Sequence, residues 1–221
     1  MRLMQTEAAP GKRERNKEAN RAAILEAARR CFLEMGYESV TVRDVIRLSG
    51  LAAGTFYNYF PDKESVFRAL VESRLGPLQK RIHSARENAR SIESFFYESY
   101  LTSLREVRAD PDFFALMFRN EPVLRSLYND NIFGLLMYSL RNDLREAIAR
   151  GVFPEVDVDA LTAISFGAGY ELCRLVVEEP RRKPEDTARF VTRLFIDGVD
   201  ALQAQAKLIR LGSRKLNGAA R

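Results

Sequence analysis

Between residues 41 and 63 the chain reads "TVRDVIRLSGLAAGTFYNYFPDK", a run of tiny residues ringed by hydrogen-bond donors. The donors are the hydroxyls of Thr41 and Thr55, the guanidinium of Arg43, the phenols of Tyr57 and Tyr59, the amide of Asn58 and the ammonium of Lys63. Groups of this kind give hydrogen bonds and positive charge to anionic oxygens, and a threonine methyl and hydroxyl together suit the edge of a base. They are not the groups of bond-breaking chemistry. The sequence has no G-x-S-x-G, no glycine-rich phosphate cradle and no paired metal ligands, so no cofactor and no metal are implied. Its one histidine, His83, lies in a charged helical stretch and is expected in solvent; Cys31 and Cys173 are far apart and expected as small buried groups.

The elements that must position these donors follow from periodicity and capping. Ile24, Leu25, Ala28 and Phe32 share one face of a helix over about 16–35, closed by Gly36. Thr41 and Asp44 have capping-box spacing, which starts a second helix at Val42 with Val45 and Ile46 inward; Ser49-Gly50 ends it after two turns. A third short helix is predicted over 52–60, and Asp62 caps a fourth from Lys63, with Val66, Phe67 and Leu70 buried. Two short helices joined by a glycine turn make a helix-turn-helix, whose second helix enters a major groove by its N-terminal end. Ala52, Ala53 and Gly54 are then small because the helix start comes close to the duplex, while Phe56 and Phe60, four apart, point inward. Without a nucleic-acid partner, the same residues would make a small aromatic-packed helical bundle.

The segment "SVTVRDVIRLSGLAAGTFYNYFPDKESVFRAL", preceded by "RAAILEAARRCFLEMGYES", resembles the DNA-binding domain of TetR/AcrR-type transcriptional regulators over about residues 17–72. The resemblance implies a dimeric repressor, less often an activator, whose larger C-terminal domain binds a small molecule. It places DNA contacts on Thr41, Arg43, Ala53, Gly54, Thr55, Tyr57, Tyr59 and Lys63, with Asn58 added from its own chemistry. Ala53 stands where some members carry a long polar residue that reads a base, which shifts readout toward Thr55, Arg43 and duplex shape. The basic "GKRERNK" is then an arm for phosphates or a minor groove, or a plain charged tail.

The rest of the chain is also helical by pattern, so the expected fold is all-α: a three-helix helix-turn-helix DNA-binding domain plus a larger helical domain for ligand binding and dimerisation. The 221 residues divide as a flexible basic arm over 1–15, the helix-turn-helix over 16–75, the larger domain over 76–206 and a basic tail over 207–221. Gly76-Pro77 is expected to break or kink the fourth helix; later helices are expected over 91–108, 111–119, 121–150, 158–178 and 184–211. Net charge is +5, a mild pointer to a polyanion, with seven basic against three acidic residues over 12–30. No signal-peptide pattern and no membrane-length apolar run is read from the sequence, which implies a cytoplasmic protein with no membrane partner.

Aromatic and methionine residues crowd the larger domain. Phe96, Tyr100, Phe114, Met117, Phe118, Phe133, Met137, Phe166 and Tyr170 are either plain core or the walls of an apolar cavity, with Arg119 and Arg174 as candidates to hold a ligand's polar end. Asn131, Asn142 and Glu171 are further polar candidates, and Glu171 and Arg174 have the spacing to pair with each other instead. An extended apolar molecule, a fatty acyl compound or a drug-like aromatic, suits such walls. Ala163, Gly167 and Ala168 on one helix, and Phe190, Val191, Leu194, Phe195, Val199 and Leu202 on the last, read as a homodimer face built as a four-helix bundle, or as intrachain packing. A twofold dimer implies a pseudo-palindromic operator with half-sites about 35 Å or a multiple apart. The alternatives from other classes are an enzyme acting on a lipid-like substrate and a helical protein-interaction scaffold.

Overall fold

The computed structural model of the chain describes residues 11–127 and 131–198, with only the backbone described for 131–135. Among the described residues every regular element is a helix. The chain divides into two compact units at Arg74 and Leu75, each with its own core.

The first unit holds α1 (Lys12–Met35), α2 (Val42–Ser49), α3 (Ala53–Tyr57) and the start of α4 (Lys63–Glu87). Helix α1 starts at Lys12, so residues 12–15, expected in a flexible arm, are helical; residues 1–10 lie outside the described residues. Gly36 ends α1 at φ 77°, and Gly50 ends α2 at φ 69°, ψ 8°, a left-handed conformation that a β-carbon disfavours. The capping box at the start of α2 is complete: the Asp44 amide donates to Thr41 Oγ1 at 3.3 Å and the Thr41 amide to Asp44 Oδ2 at 3.0 Å. Asp62 accepts from the Ser65 amide at 2.7 Å and so caps α4. Ile24, Phe32, Phe56 and Phe67 are fully buried, and Phe32 meets Phe67 edge-on with centroids 5.0 Å apart.

The second unit holds the rest of α4, then α5 (Ile92–Ala109), α6 (Pro111–Arg119), α7 (Glu121–Leu127), α8 (Asn131–Ala149), α9 (Val158–Glu178) and α10, described over 184–198. Of the break or kink expected at Pro77, there is no break: α4 stays one helix through it. The ring removes a single backbone hydrogen bond, and long helical arms with buried Leu70, Val71 and Leu78 flank the site. Of the helix expected over 121–150, the described residues are helical over Glu121–Leu127 (α7) and Asn131–Ala149 (α8). Ser91, Asp110 and Asp157 cap α5, α6 and α9 through side-chain oxygens, with Pro111 at the first turn of α6.

Helix α9 packs on α5, α6 and α8. Contrary to the sequence expectation, it is long and apolar enough by length and composition to cross a membrane, with mean hydropathy 1.3 over its apolar window. It also carries Asp159, Glu171, Arg174 and Glu178. Gly169 lets it approach α5: a β-carbon there would lie 3.1 Å from Tyr100 Cε1.

Candidate functional site

The first candidate lies on the α2–α3 unit. Burial of Val45, Phe56 and Phe60 fixes which face of each short helix turns inward, and the opposite face carries the donors. Arg43, Ala53, Gly54, Tyr57 and Asn58 are exposed; Thr55 and Tyr59 are half-buried. Arg43 makes no ion pair or hydrogen bond among the described residues. Tyr57 stands 56% exposed with its ring edge-on to Phe56, an arrangement that leaves the phenol outward. Thr41, also exposed, is committed elsewhere: its hydroxyl donates to Asp44 Oδ2 at 2.6 Å, so both its donors serve the cap. The capping carboxylate is correspondingly held below its usual range, chiefly by the Thr41 hydrogen bonds. Lys63 is largely committed too. Its ammonium donates to the carbonyls of Tyr37 at 2.8 Å and Glu38 at 3.4 Å, and lies 4.3 Å from the Tyr37 ring centroid. One of its three donors remains for a phosphate.

Gly54 is the informative residue. Its backbone is not in the left-handed region, and a β-carbon added there would meet nothing within 4 Å. Nothing among the described residues requires a glycine in α3, where it costs about 0.5–1 kcal/mol relative to alanine.

The second candidate is a cavity of about 160 Å³ inside the second unit. Of the residues expected to line it, Phe96 and Tyr100 on α5, Phe114, Met117 and Phe118 on α6, and Phe166 and Tyr170 on α9 do so. Arg119 is exposed and away from the lining, because its position on α6 turns outward between buried Met117 and Asn120. Arg174 points to solvent, paired with Glu171 at 2.8 Å, so neither is a cavity group. Met137 is half-buried beside the lining residue Leu136 and does not itself line the cavity; the side chains of Phe133 and Asn131 lie outside the described residues. Cys173 lines the cavity, where burial pushes its thiol up to about 12. Tyr100 donates to the Ser165 carbonyl at 2.9 Å, and burial raises its phenol well above the ordinary range. Tyr170 donates to Glu121 at 2.6 Å; burial and that carboxylate raise it likewise, while the Tyr170 hydrogen bond, then Arg125, holds Glu121 low. Ser165 also lines the cavity, 4% exposed, and its buried hydroxyl has no hydrogen-bond partner among the described residues.

Sequence reasoning missed the cavity's charged corner. Arg86, from α4, lines the cavity and donates from Nη1 to Asp143 Oδ2 at 3.1 Å and from Nε to Ser99 Oγ at 3.0 Å. Asp143, on α8, is 4% exposed. His83, expected in solvent, puts Nδ1 2.7 Å from Asp143 Oδ1, and that hydrogen bond, then the carboxylate charge, raises the imidazole. The pairs are 57 and 60 residues apart in sequence, so no local pattern announces them. Burial lowers Arg86, with Asp143 opposing. Removing one member of such a buried pair costs about 3–5 kcal/mol.

A third feature is apolar surface. Ile164 on α9 and Phe190 and Leu194 on α10 are 61%, 68% and 64% exposed. Ala160, Ala163 and Gly167 are exposed beside Ile164 at helical spacing. The stripe expected on the last helix splits: Val191 is buried and Phe195 stacks on Phe96 with centroids 4.8 Å apart, whereas Phe190 and Leu194 face out. Val199 and Leu202 lie outside the described residues, as does the tail over 207–221. Among the described residues no three His, Cys, Asp or Glu side chains are placed to hold a metal ion.

Residues 24–70 match the family described as bacterial regulatory proteins, tetR family. The chain is 31% identical over 139 residues to the HTH-type transcriptional repressor AcnR of Corynebacterium glutamicum, across 62% of this chain and 66% of that protein, just under two thirds of the relative's length. It is 29% identical to the HTH-type transcriptional regulator YfiR of Bacillus subtilis, over 68% of this chain and 76% of that one. Its fold is that of the transcriptional regulator FadR from Bacillus subtilis, solved in complex with stearoyl-CoA: TM-score 0.68, 22% identity, 80% of this chain and 98% of that chain. At that identity the likeness establishes the fold.

Proposed function

Since this chain belongs to the TetR family of bacterial regulatory proteins, we propose that it is a cytoplasmic, dimeric, sequence-specific transcriptional repressor, released from its operator by a small and mainly apolar effector. The observation that carries the DNA reading is the exposed face of α2 and α3. There Arg43, Tyr57 and Asn58 are exposed and Thr55 half-buried, and nothing among the described residues explains the missing side chain of Gly54. A duplex backbone or base edge close to α3 supplies the reason. Arg43 and the phenols give phosphate contacts, and Thr55 meets a base. Thr41 acts through the cap that orders α2, and Lys63 offers at most one bond.

The dimer reading rests on the exposed Ile164, Phe190 and Leu194 and on the small residues beside Ile164. Two helices from each subunit would bury these in a four-helix bundle about a twofold axis. The effector reading rests on the apolar cavity and on α4, whose residues belong to both units and line that cavity from Leu75 to Arg86. An effector acts by binding one position of α4 better than the other, a coupling of about 1–3 kcal/mol in typical cases.

A mobility-shift titration against DNA upstream of the protein's own gene, with scrambled duplex as competitor, tests the reading. A shifted band that survives competition and weakens steeply with salt is expected; equal affinity for both duplexes contradicts it.

A further inference from the structure

We propose that the cavity takes a small amphipathic acid, an apolar body about the size of one aromatic ring bearing a single carboxylate, and that Arg86 binds the carboxylate. The inference rests on the reading of this cavity as an effector site and specifies its ligand. Size is the first argument. The cavity is about 160 Å³, and an apolar protein cavity of about 150 Å³ accommodates one benzene.

Charge is the second argument. The walls are mostly aromatic and aliphatic, yet Arg86 is among them with its side chain only 14% exposed. Its Nε and Nη1 are taken by Ser99 and Asp143. Nη2 has no hydrogen-bond partner among the described residues. A buried guanidinium with an unused edge wants an acceptor, and a carboxylate is the acceptor that fits its planar fork. Asp143 is held by both Arg86 and His83. A purely apolar ligand of the same shape would leave Nη2 unsatisfied, and a neutral acceptor would give it a weaker bond than a carboxylate.

Calorimetric titration of the full-length protein with 3-phenylpropionate and octanoate, each beside its primary amide, tests this, with stearoyl-CoA as the long-chain thioester control. The acids are expected to bind at least about tenfold more tightly than their amides. In Arg86→Gln/Asp143→Asn, which keeps neutral hydrogen-bonding groups at both positions, the acid preference is expected to vanish. Should that variant fail to melt cooperatively, Arg86→Lys decides: a point charge without the planar fork lowers acid affinity severalfold and leaves the amides unchanged. Equal binding of acids and amides, an acid preference that persists without Arg86, no binding of either acid, or tighter binding of stearoyl-CoA each overturns the proposal. Operator release is measured separately. Acid binding without release keeps this inference and removes the effector reading; specific operator binding with no acid binding removes this inference alone.

Discussion

Replacing Gly54 with alanine separates a structural role from a DNA-facing one, because the two readings predict opposite signs. The backbone at Gly54 suits an L-residue, and the new methyl group meets open space. Removing a glycine at such a site restricts the unfolded chain and stabilises a protein by about 0.4–1 kcal/mol. For a chain of this length that raises the melting temperature by about 1–4 °C. If α3 lies against a duplex, the same methyl intrudes on a close contact. Forcing a methylene into a filled interface costs about 1–3 kcal/mol, a loss of about five- to 150-fold in operator affinity. Differential scanning fluorimetry reads the first quantity and fluorescence anisotropy with a labelled operator the second. A more stable protein that binds DNA more weakly is expected. Unchanged or tighter DNA binding would refute the close approach, and a lower melting temperature would show that the glycine has an intrachain role.

Three further outcomes are expected. Gly169→Ala sets a methyl 3.1 Å from the Tyr100 ring, which must shift into the cavity; effector affinity should fall about tenfold in titration calorimetry, at a stability cost of about 1 kcal/mol. The raised His83 imidazole makes its pairing with Asp143 a pH-dependent contribution, since folding favours the protonated form. Asp143 and Glu146 of α8 and Glu87 of α4 all favour that proton. The stabilisation is fully present below the unfolded value of 6.5 and is lost as pH rises through the higher folded value, so the urea midpoint of wild type should converge on that of His83→Gln above that point. Phe190→Asp together with Leu194→Asp should halve the mass seen in sedimentation, from twice 25.2 kDa to one chain, and abolish operator binding at nanomolar protein.

What could be read in advance was local. The Thr41–Asp44 cap, the Gly36 and Gly50 stops, and the inward turn of Phe56 and Phe60 each depend on a few neighbouring residues, and their types state them. The aromatic walls of the cavity were also legible as a group, since Phe96, Tyr100, Phe114 and Phe118 are too many large rings to leave in solvent. Polar partners were not legible. Arg119 and Arg174, expected as ligand anchors, face out; His83 is exposed as expected but also meets a buried Asp143 on a distant helix, and Arg86, which carries no signal in the sequence, meets the same carboxylate. Pairing across 57 or 60 residues is decided by how helices pack, which periodicity within one helix does not encode. At Pro77 the choice between break and continuation was open for a related reason: the penalty of a proline is local, and what offsets it is packing on both sides. The double duty of Thr41 and Lys63 was hidden too, because a donor's chemistry is visible in sequence but not its existing partner.

The account stands on two copies of the α2–α3 face reading one duplex with twofold symmetry. The direct test is selection of binding sites from a random duplex pool by the full-length protein at physiological salt. An enriched inverted repeat is predicted, its half-site centres about 34–36 Å or a multiple apart along the helix axis, and enrichment should be lost with Arg43→Ala/Tyr57→Ala. No enriched sequence, or an enriched site without inverted symmetry, would contradict it.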